Sequence, residues 1–140
     1  MTRYIPFLTI VLLLLMNSCG PSVQDENLEM RKKIISIHDE VMPLMGKLKG
    51  LEKKANQEIE SLQQEENPDT ARIEELRALA IDLDAAYEGM FDWMHQYDAL
   101  DGDKTQEEIK IYLDKQLIKV TEVNDQFKEV LAKSNQVFPD

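Results

Sequence analysis

The sequence predicts an all-α fold: an antiparallel up-down-up three-helix bundle or coiled coil whose first helix is long and kinked. From residue 25 onward, apolar residues recur at spacings of three and four, with charged residues on the opposite face. Only two prolines and four glycines lie between residues 25 and 137. The sequence shows no run with the apolar–polar alternation of a β-strand. Short connections between consecutive helices make them antiparallel neighbours.

Local capping signals predict where the helices begin. We expect helices at residues 25–66, 68–97 and 105–135. Asn67 is the expected N-cap of the second helix, with Pro68 at the first helical position, where its missing N–H costs nothing. Thr105 and Glu108 have the spacing of a capping box, in which each side chain binds the backbone N–H of the other residue.

Pro43 interrupts the regular pattern of the first helix. Proline lacks a backbone N–H and clashes with the carbonyl four residues earlier, so we expect a structural kink at this position. The first helix, with about 42 residues, would be roughly 63 Å long at 1.5 Å per residue. The second helix would be shorter, at about 30 residues, so the N-terminal turns of the first should overhang the bundle.

A short apolar run near the N-terminus leads to Cys19, the only cysteine of the chain. Arg3 precedes the run, which is shorter than the roughly 20 apolar residues that cross a membrane. The layout resembles a bacterial lipoprotein signal, which implies cleavage before Cys19 and acyl chains, palmitate among them, on its thiol. The alternative is an ordinary cleaved signal peptide with an unmodified cysteine. The expected divisions are a signal peptide at 1–18, a lipid anchor and tether at 19–24, and a helical bundle domain at 25–137.

The charge of the chain excludes some classes of partner. Removing residues 1–18 also removes Arg3, which changes the net charge from −11 to −12. Nucleic acids and anionic lipid surfaces attract basic patches, so an acidic chain is not expected to bind either by charge. A single cysteine excludes an internal disulfide, and its lipidation would remove thiolate from catalysis and metal ligation.

A layer of histidine and methionine is the one candidate site for chemistry. The first and second helices are joined by a turn near residue 67. Residues of these helices whose numbers sum to about 135 should therefore lie at the same height along the bundle axis, which pairs His38 with Tyr97. Imidazole and thioether groups suit Cu(I) or Ag(I). The alternative is that the methionines are flexible core fillers around aromatic side chains, and both interpretations stay open. The candidate ligands are His38, Met42, Met45, Met90 and Met94.

The second turn extends this prediction to the third helix. Residues whose numbers sum to about 202 should share a height, which places Tyr112 level with Met90 and Glu108 level with Met94. Haem ligation by His38 and one of these methionines is geometrically conceivable, but three helices leave little room for haem.

Other site patterns are weaker. Asp101, Asp103 and Thr105 match the first ligand positions of a calcium loop, but Gln106 and Tyr112 stand where glycine and glutamate are required. The sequence supplies no nucleophile motif and no glycine-rich phosphate loop. We therefore expect no enzymatic activity, no catalytic residues and no cofactor apart from the Cu(I) or Ag(I) alternative.

Two segments, at residues 37–46 and 89–97, resemble a family of small bacterial lipoproteins whose members often carry the label "viral A-type inclusion protein". The first reads Ile-His-Asp-Glu-Val-Met-Pro-Leu-Met-Gly, and the second Gly-Met-Phe-Asp-Trp-Met-His-Gln-Tyr. The resemblance implies an exported, lipid-anchored helical protein with no established activity.

The expected function is that of a membrane-anchored periplasmic lipoprotein in the bacterial cell envelope, with the outer membrane favoured. It would act as a non-enzymatic interaction or structural module that binds the membrane through its N-terminal lipid. An unknown envelope protein or a second copy would be its partner. A periplasmic Cu(I) or Ag(I) binding protein is the alternative.

Overall fold

The computed structural model describes residues 20–139, and these residues confirm the all-α bundle. No strand occurs within this range. The predicted signal peptide and the lipidation site Cys19 lie outside the described residues. The helices are α1 at Val23–Val41, α2 at Met45–Leu62, α3 at Thr70–Gln96 and α4 at Gln106–Val137.

Hydrogen bonds and ion pairs between the helices define an up-down-up arrangement. The long first arm consists of α1 and α2, and α3 returns antiparallel to it. Helix α4 runs antiparallel to α3 and parallel to α1. The contacts that fix these directions are Asn27–Gln106 and Glu40–Lys128 for α1 and α4, Lys49–Asp84 and Glu58–Arg72 for α2 and α3, and Trp93–Gln116 and Asp82–Lys133 for α3 and α4.

The apolar stripes of the helices meet in one core. Its fully buried side chains come from every helix, and Phe127 is the largest of them. Four polar side chains are also buried in the described residues, and three of them bind a group on another element. These polar residues are Asn27, Gln116, Asn124 and Ser134, the last of which donates to the Leu131 carbonyl.

The interruption predicted at Pro43 is present. A short 3₁₀ turn at Met42–Leu44 separates α1 from α2. The last α-helical bond of α1 runs from the Met42 N–H to the His38 carbonyl, and Pro43 cannot continue the series because it has no N–H. The long first helix is therefore two α-helices joined by one tighter turn.

The predicted N-cap of α3 is wrong by two residues. Asp69, not Asn67, caps this helix, because its carboxylate accepts the Arg72 N–H at 3.0 Å. Both residue types cap well, so residue type alone does not decide between positions 67 and 69. Pro68 lies before the cap and not at the first helical position.

Two capping boxes close the N-termini of α1 and α4. The predicted box at the start of α4 is confirmed, with the Thr105 N–H donating to Glu108 at 2.8 Å and the Glu108 N–H donating to the Thr105 hydroxyl at 3.3 Å. A second box, which the sequence analysis did not predict, joins Ser22 and Asp25. It starts α1 two residues earlier than expected.

The register predicted across the second turn is wrong. Tyr112 stacks against Tyr97, with 6.3 Å between the ring centroids, and is not level with Met90. Glu108 is engaged in the cap of α4 and is not level with Met94. The error arises because residues 97–105 run past the end of α3 before α4 begins, which shifts α4 by about seven residues, or roughly 10 Å.

The same shift corrects the expected overhang. Asn27, in the first turns of α1, donates to the backbone carbonyl of Gln106 at 2.9 Å and to its side-chain oxygen at 3.0 Å. Lys110 of α4 also pairs with Glu26. The N-terminal turns of α1 therefore pack on the start of α4, although α3 does not extend that far.

Candidate functional site

His38 and Trp93 bring α1 and α3 together in the predicted histidine–methionine layer. Their ring centroids are 5.5 Å apart, with 40° between the ring planes. This pairing corrects the expected partner of His38, Tyr97, by one helical turn. The correction arises because α2 ends at Leu62 and α3 begins at Thr70, which moves the midpoint of the turn toward the N-terminus.

Asp39 orients the imidazole of His38. Its carboxylate lies 2.8 Å from Nδ1 of His38, and the histidine side chain is 18% exposed. When the neutral ring carries its proton on Nδ1, it donates to this carboxylate and leaves a lone pair on Nε2. A carboxylate in this position is the usual second partner of a metal-binding histidine.

The four predicted methionines all belong to the same core as Trp93. Met90 is fully buried and Met45 is 8% exposed, while Met42 and Met94 are half-buried at the edge of the core. Burial satisfies the packing interpretation, because thioether side chains fill irregular gaps. It also suits a soft-metal site, which requires thioethers held away from water.

Trp93 is fixed by a partner that the sequence analysis did not assign. Its indole N–H donates to the side-chain oxygen of Gln116 at 3.1 Å, in a buried setting between α3 and α4. The sequence signal for this contact was Gln116 itself, a polar residue within the apolar stripe of the helix predicted at 105–135. A satisfied indole N–H holds the ring in one orientation against His38.

Two tyrosines extend the aromatic contacts toward the end of α3. Tyr97 stacks on Trp93 at 5.0 Å between centroids, and Tyr112 follows at 6.3 Å. The Tyr112 hydroxyl accepts the Asp98 N–H at 2.6 Å, and burial raises the pKa of this phenol. The Tyr97 hydroxyl is buried without a hydrogen-bond partner among the described residues.

Two residues of the calcium-loop pattern serve other contacts. Asp101 forms an ion pair with Arg31, and Thr105 belongs to the capping box of α4. In the part of the chain that the structure describes, no group of three or more His, Cys, Asp or Glu side chains is arranged to hold a metal ion. Any metal in the layer would therefore depend on thioethers in addition to imidazole.

His95 does not join the layer. Its ring lies 2.8 Å from the Phe91 carbonyl and packs on the Phe91 ring, on the exposed side of α3. Tyr87 stacks on Phe91, with 5.2 Å between the ring centroids. These aromatic side chains form an outer ladder on α3, separate from the buried Trp93.

None of the helices between residues 20 and 139 is long and apolar enough to cross a membrane. No family model, no curated protein and no solved structure matches this chain.

Proposed function

We propose that this chain is a lipid-anchored protein of the bacterial envelope, in which a non-enzymatic helical bundle serves as an interaction or structural module. The observation that carries the proposal is the apolar run that leads to Cys19, the only cysteine. Ser22 caps α1 three residues later. An anchor at Cys19 would therefore be joined almost directly to a folded domain.

The bundle has the form that such a module requires. Its interior is filled by its own side chains, including the Trp93–Gln116 pair. Helix α4, with 32 residues, spans roughly 48 Å at 1.5 Å per residue. A rod of this length offers an extended partner-binding surface, which either an envelope protein or a second copy would contact.

Intact mass measurement tests the anchor. The protein extracted from bacterial membranes should begin at Cys19 and carry the mass of acyl chains on that residue. Cys19→Ser should abolish the added mass and leave the precursor uncleaved, whereas Ser22→Ala, a nearby control, should preserve both. A mature chain with a free Cys19 thiol would contradict the proposal.

A second candidate function is binding of Cu(I) or Ag(I) by His38, Met42, Met45, Met90 and Met94. The contact between Asp39 and His38 favours it, because a carboxylate at Nδ1 directs the Nε2 lone pair toward a ligand. Four thioethers in the adjoining core offer soft donors.

Competition with a Cu(I) chelator tests this second candidate. Wild type should withdraw Cu(I) from the chelator, and a variant with the four layer methionines changed to leucine should not. Met30→Leu, at a half-buried position outside the layer, is the matched control. Free metal at a hundred times the dissociation constant should stabilise the fold by about 2.7 kcal/mol. Equal, weak competition by wild type and variant would exclude a soft-metal site.

A further inference from the structure

Three large apolar side chains are exposed at the end of the bundle where α1 begins. Leu100 is 78% exposed, Leu28 is 51% exposed and Ile35 is 39% exposed. Leu28 and Ile35 lie two turns apart on one flank of α1, and a shallow groove along that flank includes both. We call Leu28, Ile35 and Leu100 the anchor-end patch.

Leu28 is bare because α3 is too short to cover it. His38 contacts Trp93 near the end of α3, and α3 ends at Gln96. Leu28 lies ten residues before His38, or about 15 Å farther along α1. At this end only α1, α4 and the connection at residues 97–105 are present, so one side of α1 has no helix against it.

Arg31 joins the two parts of the patch. It lines the groove between Leu28 and Ile35, donates to the Ala99 carbonyl at 3.2 Å and forms an ion pair with Asp101. These contacts hold the residues on both sides of Leu100. The Leu100 N–H also donates to the Asp98 carboxylate at 2.9 Å. Leu100 is therefore presented to solvent by a connection that is fixed on both sides.

The chain before the bundle indicates what covers this patch. Cys19 lies three residues before Ser22, so a fully extended tether reaches only about 10 Å. We propose that the anchor-end patch rests on the lipid surface to which Cys19 is attached, with Leu100, Leu28 and Ile35 inserted at the interface. This inference rests on the lipid anchor proposed above.

Because the bundle is tethered, a patch of three side chains is sufficient to orient it on the lipid surface. Once acyl chains hold Cys19 in the bilayer, contact by the patch is an intramolecular event with a high effective concentration. Two carboxylates beside Leu100 are already paired, Asp101 with Arg31 and Asp98 with Lys104. A zwitterionic surface carries no net charge, so apolar contact decides the orientation of the bundle.

Site-specific fluorescence on the full lipidated protein tests the orientation. Leu100→Cys carries an environment-sensitive dye, and the protein is placed in phosphatidylcholine vesicles with or without spin-labelled lipid. Ile81→Cys is the control, because Ile81 is 68% exposed on α3, and Ile118→Cys reports on the solvent face of α4. We expect the dye at position 100 to be quenched by the spin-labelled lipid and the dyes at 81 and 118 to remain unquenched.

A second variant tests the contribution of the patch at a position that carries no dye. Leu28→Ser should lower the ratio of docked to undocked protein by about tenfold, the effect of removing one buried leucine side chain, and Ile81→Ser should not change it. Both replaced side chains are exposed, so the fold should be retained, which circular dichroism verifies.

The remaining outcomes each overturn a defined statement. Vesicle-bound, lipidated protein with an unquenched dye at position 100 overturns the patch proposal and leaves the anchor intact. Protein without lipid on Cys19, which mass measurement detects, overturns both. Shielding of the dye that depends on protein concentration and not on spin-labelled lipid assigns the patch to a second copy, and so also overturns contact with lipid.

Discussion

The indole N–H of Trp93 and the side-chain oxygen of Gln116 form a buried hydrogen bond of 3.1 Å between α3 and α4. Both residues are 5% exposed. The pair fixes the height at which α4 meets α3, because any shift of one helix along the other would leave both polar groups without a partner.

Gln116→Leu should therefore destabilise the bundle. The buried indole N–H would lose its acceptor, at a cost of about 1–3 kcal/mol in the free energy of unfolding. Urea denaturation measures the loss. Adding Trp93→Phe to Gln116→Leu should cost less than the sum of the two single changes, and strict additivity would show that the bond contributes nothing to stability.

Asp69→Ala and Asn67→Ala separate the observed N-cap of α3 from the predicted one. Loss of the Asp69 carboxylate should lower the free energy of unfolding by about 1 kcal/mol, because the Arg72 N–H loses its acceptor. Asn67→Ala should have little effect. Thermal denaturation compares the two, and a larger loss from Asn67→Ala would contradict the observed cap.

Pro43→Ala should allow α1 and α2 to join into one continuous helix. Alanine supplies the missing N–H and removes a ring that costs roughly 3 kcal/mol in a helix interior, so we expect a rise in helical content and in melting temperature. Circular dichroism measures both. Pro43 is exposed, so Leu44→Ala, at the adjacent exposed position, is a matched control. A fall in melting temperature would show that core packing requires the 3₁₀ turn.

The bundle should lose stability in acid through its capping boxes. Hydrogen bonds from the Thr105 backbone and hydroxyl lower the pKa of Glu108 below 4.5, and the Ser22 hydroxyl and backbone lower that of Asp25 below 3.8. A lowered folded pKa adds stability above the unfolded pKa, and this is lost as the pH falls through the folded value.

Urea midpoints measured between neutral pH and the acid range below 4.5 test this dependence. Glu108→Gln should flatten the profile relative to wild type, because its amide does not titrate. Glu122→Gln, at an exposed position in the middle of α4, should not. Identical profiles for all three proteins would exclude a contribution from the box.

Sequence periodicity was sufficient for the three antiparallel arms of the bundle, because apolar spacing reports directly on which face is buried. Thr105, Glu108 and Pro43 also marked real features, since capping and loss of an N–H are local effects. The register of one helix against the next, along the bundle axis, was harder to predict. The turn before α3 begins after Leu62 and ends at the N-cap Asp69, and the connection after α3 extends along the bundle. Neither property has a local signature.

The candidate site was predicted in part for the same reason. His38, Met45 and Met90 entered the core stripes by spacing. The structure places the four methionines in or against one core and His38 against Trp93 of that core. Trp93 as the neighbour of His38, and Gln116 as the partner of Trp93, depend on register and could not be assigned from periodicity.

The parallel course of α1 and α4 also has an electrostatic consequence. Each helix carries a macrodipole with its positive end at the N-terminus, and two of these ends lie together where α1 and α4 begin. Helix α3 points the other way, so it cancels only one of the two helices beside it. The bundle therefore has a net dipole along its axis, with the positive end where α1 and α4 begin.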